Sequence, residues 1–266
     1  MSEPTNPKTR EYLPSANRAL AELEEVTGKP VLLLEEPDLN VLATISRASS
    51  NQSSHILRIK EGSDQIVDYL ITFECKMALR DGIAARQLII EKKQVREKII
   101  SEMEKLHRKL PLTKTREFGK FIYNGLITQL RSIGPGLGVD RWIRLHCSDL
   151  QDAQSRSIET EINNNIAILQ APSKASFPEK LYKASVLMNA AYAIHNAELL
   201  GKSHLGVPYI SQGYGDKAKI LIKSTLDDQN ESHVINDRQI IDDWAAELGI
   251  TGWYDWVTES ELTKNE

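Results

Sequence analysis

Residues 54–80, SHILRIKEGSDQIVDYLITFECKMALR, constrain the fold more than any other part of the chain, because two different periodicities meet there across one turn. His55, Ile56, Leu57, Arg58 and Ile59 alternate with period two, the pattern of a half-buried strand, and Glu61, Gly62 and Ser63 supply the turn that ends it. Beyond the turn, Ile66, Val67, Leu70, Phe73 and Met77 fall at helical spacings. This predicts a helix over 63–80, with Ser63 as N-cap and Asp64 in the first turn beside the positive end of the helix dipole. One face of that helix has to be buried.

Within it stands the frame Phe73-Glu74-Cys75-Lys76-Met77. Its glutamate sits where metallopeptidases carry H-E-x-x-H, a motif whose two histidines bind zinc from one helix face while the glutamate polarises the metal-bound water. Here both histidine positions are apolar. Phe73 has no donor atom, and the thioether of Met77 suits copper better than zinc. Glu74 alone makes no zinc site, so the expectation is the shape of a metallopeptidase without its chemistry.

The elements around this frame point the same way. A helix is expected from Pro14-Ser15 to Gly28, with Leu20, Leu23 and Val26 on one stripe. The run Val31-Leu32-Leu33-Leu34 reads as a central strand buried on both faces. A second strand within 39–48 and a polar turn at 49–54 lead by a hairpin into 55–59. Helix, strand, hairpin and helix in this order, with Glu74 at the motif position, resemble the small bacterial zincin metallopeptidases of ImmA/IrrE type over residues 12–82. In that family a small sheet carries an edge strand beside the substrate cleft, and the H-E-x-x-H helix follows it. The resemblance therefore implies that 55–59 is that edge strand and that 63–80 is the core helix.

After residue 82 the pattern is mainly helical. One helix is expected over 83–110, its stripe including Leu88, Ile89, Ile99, Ile100 and Met103, and another over 118–130. Gly134-Pro135-Gly136-Leu137-Gly138 lacks the Gly-Lys-Ser/Thr of a phosphate loop and is read as a turn between helices. Residues 172–178 read as a linker. The apolar run 180–200 is a second core helix stopped by Gly201 and packed on the first. The pattern at 218–222 fits a short strand or the start of a helix. A last helix over 237–248 precedes an aromatic knot of Trp253, Tyr254 and Trp256 that pins the C-terminus.

The expected class is thus α+β: a small N-terminal mixed sheet with a zincin-like core helix, followed by a mainly helical C-terminal region. The corresponding divisions are a flexible tail at 1–11, the α+β region at 12–130, the helical region at 131–257 packed on it, and a tail at 258–266.

Composition narrows the setting. With 266 residues and 41% hydrophobic content the chain can bury a substantial core, and its net charge of −4 gives no overall pull towards nucleic acid. Two cysteines far apart, Cys75 and Cys147, argue against a disulfide framework and for the reducing cytoplasm. The N-terminus lacks a signal-peptide core, and no run is long enough for a membrane span.

Three functional expectations follow. The first is a non-catalytic, zincin-like protein that binds a protein or peptide, with Phe73, Glu74, Met77, His55, His195 and Glu198 as the candidate binding residues and with no metal and no cofactor. A groove beside the edge strand would take an extended peptide by strand addition. The second is a metal-dependent hydrolase with Glu74 as base, in which His195 and Glu198, at i and i+3, share a face and join His55, Glu74 or His204 as ligands. The third uses residues 86–120, where bases exceed acids by six, to contact nucleic-acid phosphates. Interleaved glutamates and the absence of a stacking platform favour a solvated face there instead. From Asp227 onward acids exceed bases by nine, which allows self-association with the basic middle.

Overall fold

The computed structural model describes residues 11–49, 51–80, 87–227, 237–258 and 261. Most of both expected tails, the helix start at 83–86 and the polar stretch 228–233 lie outside them. The chain is α+β, as its patterning requires, and it divides into two compact units. The first comprises residues 1–84 and 139–157, the second 85–138 and 158–266.

In the first unit, α1 (Pro14–Thr27) ends at Gly28, whose φ of 67° lets its N–H return to the Glu24 carbonyl. Its buried positions are Ser15, Ala16, Ala19 and Leu23, whereas Val26 is exposed, so small residues set the packed stripe. Strands β1 (Val31–Glu36), β2 (Ala43–Ser46) and β3 (His55–Lys60) form a mixed sheet in the order β1-β3-β2. β3 pairs parallel with β1 and antiparallel with β2.

This order corrects two expectations. The apolar run at 31–34 is an edge strand with Leu32 exposed, and 55–59 is the central strand and not an edge. The alternation of β3 follows from its two faces: His55, Leu57 and Ile59 are buried on the covered face, while Ile56, Arg58 and Lys60 lie on a half-covered outer face. On that face Arg58 bridges the two neighbouring strands, bonding Glu36 at 2.9 Å and Ser46 Oγ at 3.0 Å.

Helix α2 (Val67–Arg80) buries Ile71, Cys75 and Ala78, one stripe at i, i+4 and i+7, in a core shared with Leu23, Leu57 and Ile143. Both cysteines are free and buried.

The second unit opens with β4 (Gln87–Glu91) and α3 (Lys93–Leu106), so the single helix expected over 83–110 is instead a strand and a helix. The cause is a distant partner: β5 (Tyr254–Thr258) pairs antiparallel with β4, and the β-rich run Leu88-Ile89-Ile90 satisfies that ladder. α4 (Leu112–His146) is one helix of 35 residues with Pro135 inside it. The glycines at 134–138 are therefore helical, neither a turn nor a phosphate loop. Gly134 serves close packing, since a Cβ there would stand 3.0 Å from Ile240 and 3.2 Å from Trp244. From Val139 onward α4 belongs to the first unit.

After a 3-10 turn at Ser148–Leu150 come α5 (Gln151–Asn165) and α6 (Ala171–Ser176), the latter a short helix where a linker was expected. α7 (Glu179–Leu199) is buried on almost every side and stops at Gly201, as its uniform apolarity predicts. α8 (Val207–Ile210), α9 (Gly215–Asp227) and α10 (Asp237–Glu247) complete the unit, and α9 resolves 218–222 as helix. The aromatic knot is tied by hydrogen bonds: Tyr254 and Trp256 both donate to Asp242, at 2.6 and 2.9 Å. Among the described residues no helix is long and apolar enough to cross a membrane.

Candidate functional site

Gly62, at φ 81°, reverses the chain out of β3. Ser63 then accepts the Ile66 N–H through its carbonyl at 2.9 Å, and α2 begins only at Val67. Ser63 is thus part of the turn and not the N-cap. The carboxylate in the first helical turn is Asp68, which accepts the Leu13 N–H at 2.8 Å and ties the approach to α1 onto α2.

The five residues of the frame take separate tasks. Cys75 faces the core with no exposed surface, and burial, followed by the neighbouring Glu74 charge, pushes its thiol up to about 12, leaving it an inert apolar group. Phe73 and Met77 are half-buried against the same core, and Phe73 lies 5.9 Å from the ring of Tyr69. Carbon and a packed thioether thus flank Glu74 at positions 73 and 77. Lys76 bonds Glu22 of α1 and sits 4.1 Å from the ring centre of Trp142.

Glu74 points at the sheet. Its Oε2 accepts the backbone N–H of Ile45 at 3.0 Å. The strand register explains why that N–H is available. Lys60 N–H bonds the Leu42 carbonyl, so the hydrogen-bonded pairs of the antiparallel ladder are 42/60, 44/58 and 46/56. Ile45 falls between them, with its N–H on the outer edge of β2. The carboxylate therefore occupies an edge donor that an added strand would need.

His55 is buried and committed to the framework. The Ala48 N–H donates to its Nδ1 at 2.9 Å, which fixes the proton on Nε2, and Nε2 lies 2.8 Å from Thr27 Oγ1. A ring held at both nitrogens is a tie between α1, β3 and the β2–β3 connection, not an open metal ligand.

His195 and Glu198 stand three positions apart on α7, but His195 is 5% exposed while Glu198 is exposed to solvent. Both lie in the second unit, whereas His55 and Glu74 lie in the first. His204 is exposed. Among the described residues no three His, Cys, Asp or Glu side chains are grouped as metal ligands would be.

In the basic stretch, bases meet acids: Arg96 pairs with Glu91 at 3.3 Å, Arg116 with Glu104 at 3.1 Å, and Lys92 with Asp255 at 3.0 Å. Each such surface pair contributes at most about 1 kcal/mol, but together they leave less charge for phosphate.

Several residues that hold the frame gave no sequence signal of their role. Asp149 receives both the N–H and the hydroxyl of Ser15, at 2.9 and 2.6 Å, and so caps α1 from a turn 134 positions away. Asp140, fully buried in α4, accepts the Tyr69 hydroxyl at 2.7 Å. No protein-family model, no curated protein and no solved structure matches this chain.

Proposed function

We propose that the chain is a non-catalytic, zincin-like protein that acts by binding another protein or a peptide. The observation that carries this reading is the occupation of the motif itself. Glu74 is bonded to the Ile45 N–H of the sheet, between two flanking positions filled by Phe73 and Met77 against the core. A general base has to reach a water or a substrate proton, and a zinc site needs imidazole or carboxylate donors around it. Here the helix spends those positions on packing and on the sheet edge. The helix, strand, hairpin and helix order supports the zincin likeness, with β3 at the centre of the sheet and not at the edge that the likeness implies; the side chains support loss of its chemistry.

Elemental analysis of protein purified without chelator tests the reading. Substoichiometric zinc, unchanged by mutation of Glu74, is expected. One zinc per chain, or chelator-sensitive hydrolysis lost on Glu74→Gln, overturns it.

A further inference from the structure

The two edges of the small sheet differ. On β2, Glu74 occupies the outward N–H of Ile45. On β1, the parallel register fixes which groups face outward. His55 N–H bonds the Pro30 carbonyl and Glu61 N–H bonds the Glu36 carbonyl, so even-numbered residues of β1 turn their backbone groups towards β3. Odd-numbered residues turn theirs away. The Val31 N–H is met by Glu24 Oε1 at 2.9 Å, but the N–H and carbonyl groups of Leu33 and Glu35 have no partner among the described residues. Natural sheets usually seal such an edge by a bulge, a charged side chain, a proline or a covering element. Here the register of β1 is continuous and no proline stands at an outward position; Glu35 brings the one charge there, Leu33 is apolar, and Leu32 remains 48% exposed beside it.

The chemistry of the rim selects the partner. Glu35 and Glu24 are exposed at the edge, and Glu36 adds a carboxylate already bonded to Arg58. Lys29, the basic residue at the other end, spends its ammonium on the Ser49 carbonyl. A second copy of the strand would bring Glu35 and Glu36 into an already acidic rim. An extended segment with apolar residues against Leu32 and Leu34 and a lysine or arginine beside Glu35 meets backbone, side chains and charge together.

We propose that the outer edge of β1 is a docking site for an extended, apolar segment with a basic flank, contributed by another protein. The inference rests on the binding function argued above and moves the contact from the Glu74 edge to the opposite one.

The test uses the full chain, labelled for NMR, and an acetylated, amidated valine-rich peptide with lysines at one end. Saturable shifts at the Leu33 and Glu35 amides, with slowed hydrogen exchange at both, are expected. The same peptide with glutamates for lysines should bind at least about tenfold more weakly. Leu33→Pro removes an outward N–H without touching the ladder to β3 and should weaken binding at least about tenfold. Should that variant lose its fold, Glu35→Lys carries the test: the preference for the lysine peptide should shrink, and an unchanged preference overturns the site. Shifts centred on Ile45 and Glu74 would overturn the site while leaving the binding function standing. Absence of saturable binding by either peptide, or a concentration-dependent dimer abolished by Leu33→Pro, also overturns it. The zinc measurement judges the functional reading separately.

Discussion

Glu74 is the residue on which the reading of the helix turns, and its replacement separates a structural latch from a catalytic base. The Glu74 Oε2 to Ile45 N–H bond is 3.0 Å long and partly buried. Net contributions of hydrogen bonds to charged groups are about 1.5–3 kcal/mol, and partial solvent access to a sheet edge places this one near the low end. Glu74→Ala removes the acceptor altogether and should destabilise the first unit by roughly 1.5 kcal/mol. Glu74→Gln keeps a carbonyl oxygen in the same place and should cost about 0.5 kcal/mol.

The sharpest readout is amide hydrogen exchange. Protection of the Ile45 amide should fall roughly tenfold in Glu74→Ala and only a few-fold in Glu74→Gln. The Thr44 amide faces Arg58 in the ladder and should be unchanged in both. If Ile45 and Thr44 lose protection together, the strand itself has opened and the latch is not the cause. If both variants keep wild-type exchange and stability while a hydrolytic activity disappears in each, the carboxylate is a base and the reasoning fails.

Three further outcomes are expected. Gly134→Ala should destabilise by about 1–3 kcal/mol because its Cβ meets Ile240 and Trp244, whereas Gly125→Ala, with nothing within 4 Å, should stabilise α4 by about 0.5–1 kcal/mol; urea melts of the pair check both signs. Partial burial raises the Asp149 carboxyl, but the Ser15 bonds and the Arg18 charge outweigh it and hold the group below its ordinary value. Its contribution is therefore present above the unfolded carboxylate range and lost as pH falls through the lowered folded value, so the stability gap between wild type and Asp149→Asn should close on acidification. Cys75 and Cys147, both buried, should resist a thiol reagent near neutral pH until denaturant is added; rapid labelling of native protein would contradict the packing of α2.

How far the fold was legible depends on whether each signal is local. The alternation of 55–59, the glycine stops at 28 and 201, and the apolar stripe of α2 are set by neighbours within a few residues, and all appear as elements. β4 was hidden because the ladder that holds Leu88 to Ile90 comes from Trp256 and its neighbours, far along the chain. The 134–138 stretch misled because its composition is that of a turn, while it runs inside α4 and Gly134 admits the side chains of Ile240 and Trp244 against that helix. Val31 to Leu34 misled because a continuous apolar run looks doubly buried, whereas only the sheet order shows which strand lies in the middle.

The sequence by itself determined that Phe73 and Met77 bring no nitrogen or carboxylate to the frame around Glu74, since side-chain chemistry does not depend on the fold. It also determined the α+β class, since the change from period two to helical spacing is written in the order of residues. Only the tertiary structure decided where Glu74 points, that His55 is held at both ring nitrogens, and that Ile45 is latched on one sheet edge while Leu33 and Glu35 on the other have no backbone partner among the described residues. Those facts arise from hydrogen-bond register between strands and from helices meeting them, and backbone groups that are identical in every residue acquire different fates only when the chain is folded.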